Sequence, residues 1–260
     1  MKKHFLIISV LFLVFSSSHA QDFSAYQKKL FIKGKDTLPY RLLLPENYNA
    51  KKTYPLILFL HGRGESGTDN EKQLVHGADL FLKPENRKKY PAIVLFPQCT
   101  ETSFWSNVDF RQDSAGTRTF NFLTDGDATT PLALTQQLVY KLMKQFPVNK
   151  KQVYVMGLSM GGMGTFEMVR RNPNLFAAAM PICGGANPGT AKYLKKTNWW
   201  IFHGAKDDVV NPALSQKMFD ALKKENAIVK FTLYPEANHN SWDSAFAEPA
   251  FLSWLFAQHK

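Results

Sequence analysis

Residues 153–169 read VYVMGLSMGGMGTFEMV. The segment opens on Val153-Tyr154-Val155-Met156, a β-branched and apolar run that suits a strand buried on both faces. It turns through Gly157, Gly161, Gly162 and Gly164 and continues as a helix to Val169. One serine, Ser159, stands at the bend. Strand, glycine-lined turn and helix in this order predict a hydroxyl held at the C-terminal edge of a sheet. The glycines are needed because Cβ atoms at those positions would strike neighbouring strands or the helix.

A glycine-rich phosphate loop is the competing reading. Spacing excludes it: no Lys-Ser/Thr pair follows, and no G-x-G-x-x-G frame fits the four glycines. Gly157-Leu158-Ser159-Met160-Gly161 instead fits G-x-S-x-G, and between a strand and a helix that pentapeptide is a nucleophile elbow. A serine hydroxyl needs a base, and the base needs an orienting acid; on this scaffold they follow the serine in the order acid, then histidine. His4 and His19 fall in the N-terminal apolar segment, and His61 and His76 precede the serine. His203 precedes any acid placed after Phe202, and His259 is terminal. His239 remains as the base, just past the last strand expected. The acid is expected in His203-Gly204-Ala205-Lys206-Asp207-Asp208, where two aspartates compete. An oxyanion needs two backbone donors. These are the N–H of Met160, after the nucleophile, and the N–H of Arg63 in the loop His61-Gly62-Arg63-Gly64-Glu65-Ser66-Gly67. The Arg63 and Glu65 side chains either pair to stiffen that loop, or Arg63 meets an anionic group of the substrate.

Outward from the elbow, similar apolar runs recur at 55–60, 92–96, 177–182, 199–202 and 229–234, and residues 28–32 and 38–44 flank a Gly34-Lys35-Asp36 hairpin turn. Between the runs lie helical patterns, Pro131–Phe146 with Thr130 as its cap and Asn211–Asn226 with Asn211 as its cap. Alternation of strand and helix after an opening hairpin predicts an open α/β sheet, mostly parallel, with helices on both faces. The connection 100–129 shows no clear periodicity but carries Phe104, Trp105, Phe110, Phe120 and Phe122. Its aromatics either pack as a satellite cluster or line a cleft, with Trp105 as a candidate substrate contact.

The start of the chain reads as an export leader. Lys2 and Lys3 precede an apolar run from Phe5 to Phe15, and Ser18-His19-Ala20 is a small-x-small cleavage site. Residues 1–20 are therefore expected to be removed, leaving 21–260 as one exported, soluble domain, periplasmic or secreted, with no membrane insertion. Losing two lysines lowers the net charge from +11 to +9. The remaining lysines are scattered in pairs such as Lys28-Lys29 and Lys150-Lys151, which reads as a solvated surface and not as a nucleic-acid site. No motif implies a metal or other cofactor, and no feature fixes an oligomeric state.

The stretches LHGRGESGTDN, GLSMGGMGTF, HGAKDDVVNP and HNSWDSAF together resemble secreted α/β-hydrolase esterases. The resemblance is to a phospholipase/carboxylesterase-like ("predicted peptidase") group, akin to feruloyl and acetylxylan esterases and more distantly to polyhydroxybutyrate depolymerases and dienelactone hydrolase. It implies the α/β-hydrolase fold. The family's His-Gly-x-x-Asp pattern aligns the acid with Asp207, and Trp242 matches a family aromatic near the base, which either walls the cleft as a substrate contact or packs as a buried side chain. The implied strand order places two strands between those preceding Cys99 and Cys183, which argues against a disulfide unless the loops converge. The expected activity is hydrolysis of carboxylic esters through an acyl-enzyme, on acetyl or feruloyl groups of plant polysaccharide or on small esters. Two alternatives stand beside it. A prolyl-oligopeptidase-type peptidase would need an extra domain for which the chain has no room, and a non-catalytic polysaccharide-binding module would not need the triad.

Overall fold

The continuous apolar runs become strands because both of their faces are covered. A computed structural model describes residues 22–114 and 116–260, so the expected leader and its cleavage site lie outside the described residues. The strands are β1 (Gln27–Lys33), β2 (Asp36–Leu43), β3 (Tyr54–Leu60), β4 (Ile93–Pro97), β5 (Val108–Gln112), β6 (Arg118–Phe122), β7 (Val148–Leu158), β8 (Ala178–Ile182), β9 (Asn198–Gly204) and β10 (Val229–Tyr234). The helices are α1 (Pro84–Lys89), α2 (Thr130–Gln145), α3 (Met160–Arg171), α4 (Ala191–Leu194), α5 (Ala213–Lys224), α6 (Trp242–Phe246) and α7 (Phe251–Phe256). Among the described residues no helix is long and apolar enough to cross a membrane.

Eight strands form one sheet in the order β1-β2-β4-β3-β7-β8-β9-β10, and β5 and β6 form a separate hairpin. The opening hairpin is antiparallel, β2 joins β4 antiparallel, and every later pairing is parallel. This is the α/β-hydrolase fold that the resemblance implied. Period-2 alternation divides each central strand between two cores. Leu56, Leu58, Leu60, Val153, Val155, Trp199 and Ile201 pack with residues of α2, α3 and α5 on one face. Ile57, Phe59, Tyr154, Met156, Trp200 and Phe202 pack with α6 and α7 on the other.

Local signals held with small shifts. The expected cap of α5 lies one residue later, at Pro212, and Asn211 Oδ1 accepts the Ala213 N–H at 2.9 Å in the turn that leads into the helix. The expected cap of α2 lies one residue earlier, at Thr129. Its hydroxyl caps nothing, because it donates to the Phe104 carbonyl at 2.7 Å. Cys99 and Cys183 are both free and buried.

The tightest approach in the fold is at the start of α3. A Cβ on Gly161 would lie 1.9 Å from the Leu60 carbonyl oxygen, and one on Gly157 would lie 2.5 Å from the Gly161 oxygen. Backbone meets backbone here, so no side-chain rotation relieves the clash. Gly64, by contrast, has nothing within 4 Å of its Cβ position. Gly161→Ala is expected to cost about 3 kcal/mol or more, at the upper end of overpacking penalties. Gly64→Ala should stay within about 0.5 kcal/mol of the parent, as surface changes do. Urea unfolding of the two variants checks this; equal midpoints would refute the backbone-contact argument.

Candidate active site

Ser159 sits between β7 and α3 with φ 54° and ψ −118°, a left-handed conformation costly for a residue with a side chain. The turn is held by Ser159 N–H donating to the Ile182 carbonyl at 2.9 Å. The residue is nearly buried, at 9% exposure, yet lines a cavity. His239 Nε2 lies 3.0 Å from Ser159 Oγ, and His239 Nδ1 lies 2.8 Å from Asp207 Oδ2. An ionised carboxylate only accepts, so Nδ1 carries the hydrogen and Nε2 is left to accept from the serine hydroxyl. The structure thus brings Ser159, Asp207 and His239 together, although they lie far apart in the chain.

Asp207 is the better-held of the two aspartates. Its Oδ1 accepts the N–H groups of Val209 and Val210 at 2.9 and 2.8 Å. Its Oδ2 also lies 3.1 Å from His203 Nε2, and both side chains are fully buried. Burial opposes ionisation, but hydrogen bonds from His203, His239 and the Val210 N–H outweigh it and hold the carboxyl well below the usual range. His203 is fixed in turn: Nδ1 lies 2.7 Å from Ser215 Oγ, and Nε2 lies 2.9 Å from the Val210 carbonyl. Chain order alone set His203 aside, yet the i,i+4 spacing of His-Gly-x-x-Asp was the signal that it touches the acid. Asp208 is exposed, and its backbone N–H donates to Asn238 Oδ1 at 3.1 Å.

Met160 is the first residue of α3, so its N–H has no partner inside the helix. Arg63 opens a short 3-10 turn after β3, and both residues line the cavity with Ser159. The Arg63 side chain does not pair with Glu65. Its Nη1 donates to the Ser103 carbonyl at 2.6 Å, its Nη2 donates to the Glu101 carbonyl, and its guanidinium covers the Phe104 ring at 4.6 Å. Glu65 instead lies 3.7 Å from His76, and burial pushes its carboxyl up.

The cavity has a volume of about 410 Å³ and runs from Ser159 and His239 across Met160 and Met163 to Phe104, Phe110 and Phe120. The connection 100–129 thus answers both of its expected readings. Phe110 and Phe120 line the cleft from the β5–β6 hairpin. Trp105 does not: it is fully buried, donates Nε1–H to the His61 carbonyl at 3.1 Å, and covers Gly164. The expected contact of Trp105 with substrate is corrected by that burial. Trp242 does line the cleft, 5.5 Å edge-on to the His239 ring and 5.0 Å from His76. The hairpin is tied at its return, where Arg170 and Arg171 of α3 donate to the Thr124 and Gly126 carbonyls at 3.1 Å. Asn107 Nδ2 donates to the Asp127 carbonyl at 2.7 Å.

Among the described residues, Cys183, Asp207 and His239 are one set whose ligand atoms could converge on a metal, lying within 4.8 Å of one another. Two of the three are already committed to each other, and burial pushes the Cys183 thiol far up, so the set reads as a hydrogen-bonded Asp207–His239 pair beside an inert thiol.

The family described as "Putative esterase" matches residues 35–243 of this sequence. The chain belongs to this esterase family. The esterase-family chain is 31% identical to a solved thermostable esterase over 91% of its own length, with a TM-score of 0.81. It spans 64% of that protein. It is also 33% identical over 88 residues to a bifunctional acetylxylan esterase/xylanase of Neocallimastix patriciarum, a match covering 34% of this chain and 13% of that protein. A ferulic acid esterase of Anaeromyces mucronatus, solved with ferulic acid, shares the fold at TM-score 0.64 and 14% identity, over 92% of this chain and 93% of that one.

His61 shows how the loop 61–67 of this esterase-family chain is fixed. Its Nε2 accepts the Cys99 N–H at 2.9 Å, and its Nδ1 bonds the Gly62 carbonyl at 2.6 Å. The ring is therefore neutral, with its hydrogen on Nδ1, and burial pushes its pKa down from 6.5 to about 4. An unfolded chain protonates this residue near 6.5, so its contribution is full above that pH and is lost as pH falls through about 4. The loss amounts to about 3 kcal/mol. His61→Asn, which cannot titrate, should be less stable at pH 7 but flatter between pH 6.5 and 4. Urea midpoints across that window test this; parallel curves for both proteins would contradict it.

Proposed function

We propose that the chain is an exported serine esterase acting on acyl groups of polysaccharides or on small carboxylic esters. The observation that carries this reading is the Ser159–His239–Asp207 chain of 3.0 and 2.8 Å contacts at the floor of an aromatic-walled cleft. Ser159 Oγ attacks the ester carbonyl carbon while His239 Nε2 takes the hydroxyl proton. Asp207 holds the ring and stabilises the imidazolium that forms. The carbonyl π electrons move to oxygen, where the N–H groups of Met160 and Arg63 receive the negative charge, helped by the N-terminus of α3. His239 then gives its proton to the leaving alcohol. A water, deprotonated by the same Nε2, releases the acid and restores the serine.

The substrate range follows from the cleft and from relatives. Phe104, Phe110 and Phe120 suit a phenolic acyl group or a sugar ring, and the acetylxylan and ferulic acid esterases among the similar proteins point the same way. Export to the periplasm or beyond is consistent with that substrate class and with the apolar leader-like start.

Ser159→Ala should lower kcat on p-nitrophenyl acetate by roughly 10⁴-fold and abolish labelling by a fluorophosphonate probe. Labelling that survives in the variant would move the nucleophile elsewhere. Asp207→Asn should cost on the order of 10⁴-fold because it favours the wrong His239 tautomer, whereas Asp208→Asn should cost little. A reversed ranking would reassign the acid.

A further inference from the structure

The β5–β6 hairpin carries a pattern that the esterase reading leaves unused. Val108, Phe110 and Gln112 pair across the ladder with Phe122, Phe120 and Arg118. Paired residues share a face, and residues two apart along a strand share it too. Phe110, Gln112, Arg118 and Phe120 all line the cavity that holds Ser159. Asp109, Arg111, Thr119 and Asn121 occupy the other face. From the oxyanion loop outward the wall is a row of rings: Phe104 lies 6.4 Å from Phe110, and Phe110 lies 5.2 Å from Phe120. The row ends at Gln112 and Arg118.

We propose that this end of the cleft is a carboxylate subsite. Arg118, with Gln112 beside it, receives an acidic group on the saccharide side of the ester, so the favoured substrates are esters of saccharides containing uronic acid. This deepens the esterase reading and rests on it. Arg118 makes no ion pair with any described residue, while the other cations near the cleft are engaged. Arg63 is held by two carbonyls, and Arg111 pairs with Asp109 at 2.8 Å on the opposite face. Gln112 Nε2 reaches the Gly116 carbonyl at only 3.4 Å, which leaves its second N–H for a ligand. Asp113, at the turn, accepts the Thr117 N–H at 2.8 Å. The carboxyl of Glu65, the one acid lining the cavity near the serine, lies on the side of His76 and Trp242, away from the hairpin.

Geometry sets the reach. Two strand residues separate the Phe110/Phe120 pair from the Gln112/Arg118 pair, a rise of about 7 Å. That is about the length of one pyranose ring, so a sugar stacked on the phenylalanines would place the carboxylate of the next unit against the guanidinium. The planar fork of Arg118 matches a carboxylate with two parallel hydrogen bonds. A neutral saccharide would leave the same guanidinium in water, with no gain.

The test compares kcat/KM for an acetylated uronic acid-containing oligosaccharide with that for an acetylated xylo-oligosaccharide of equal length. The parent should favour the acidic substrate by about tenfold at low salt, with the preference shrinking as salt rises. Arg118→Gln should bring the ratio near one, and Arg118→Glu should invert it. Arg111→Gln removes the same charge from the opposite face and should leave the ratio unchanged. An equal ratio in the parent and Arg118→Gln, or an equal fall in Arg111→Gln, would overturn the subsite. A second arm needs no turnover: Ser159→Ala is titrated calorimetrically with trigalacturonate and with xylotriose. Binding of the acidic trimer alone, lost on adding Arg118→Gln, supports the subsite even if no ester is hydrolysed. Equal binding of both trimers rejects it. Failure of the parent to cleave p-nitrophenyl acetate counts against the esterase reading alone.

Discussion

The first turn of α3 lies against the end of β3 with no side chain between them. The Leu60 carbonyl occupies the space that a Cβ on Gly161 would need. That contact fixes the angle at which the chain leaves β7, and the angle forces Ser159 to φ 54°. With the backbone turned that way Ser159 Oγ lies 3.0 Å from His239 Nε2 and lines the cavity. The loops after β3, β9 and β10 end at the same edge because those strands run parallel to β7. A parallel sheet therefore gathers Asp207, His239 and the loop of Arg63 from distant parts of the chain, and the closeness of α3 to the sheet sets Ser159 among them.

Two buried histidines brace the loops around that serine. His203 faces the Asp207 carboxylate, and through Ser215, which donates to the Gly184 carbonyl at 2.9 Å, it links the end of β9 to α5 and the loop after β8. The acid is thus oriented from several elements and stays ionised despite its burial. His61 has no such counter-charge in hydrogen-bond contact. It is kept neutral by burial and by a backbone N–H that demands an acceptor, and it serves as a rigid spacer between the oxyanion loop and residues 99–105.

The central strands and the two amphipathic helices were legible because their patterns answer to burial alone. Runs such as Leu56–Leu60 have two covered faces, and no polar residue interrupts them. Strand β7 begins earlier than its apolar run, since Asn149-Lys150-Lys151 extend it where both faces meet solvent. That Ser159, Asp207 and His239 meet was legible because chain order and the glycine pattern constrain them. The β5–β6 hairpin was not seen as strands, although Phe110 and Phe120 alternate with Asp109, Arg111, Thr119 and Asn121 in the period of a half-exposed sheet. Its strands are short, and the aromatic count masked the alternation. Trp105 could not be placed from sequence, because an indole suits a cleft wall and a buried anchor equally; the hydrogen bond to the His61 carbonyl decides between them. The Arg63–Glu65 pairing does not form, because the partners of Arg63 are backbone carbonyls of a loop that no local pattern brings near.

The two ends of the 100–129 segment are fastened independently of its tip. At one end Trp105 is driven under the oxyanion loop. At the other, Thr129, Asn107 and the α3 arginines clamp the returning chain onto backbone carbonyls. Between these anchors the hairpin lines the cavity of Ser159 through Phe110, Gln112, Arg118 and Phe120. The segment is therefore a detachable cassette in the genetic sense. Insertions, deletions or a transplanted hairpin between Asn107 and Thr124 would redraw the cleft wall while leaving the chemistry-bearing frame in register. A lineage, or a library, could diversify what the cleft accepts by rewriting about fifteen residues, without renegotiating the core.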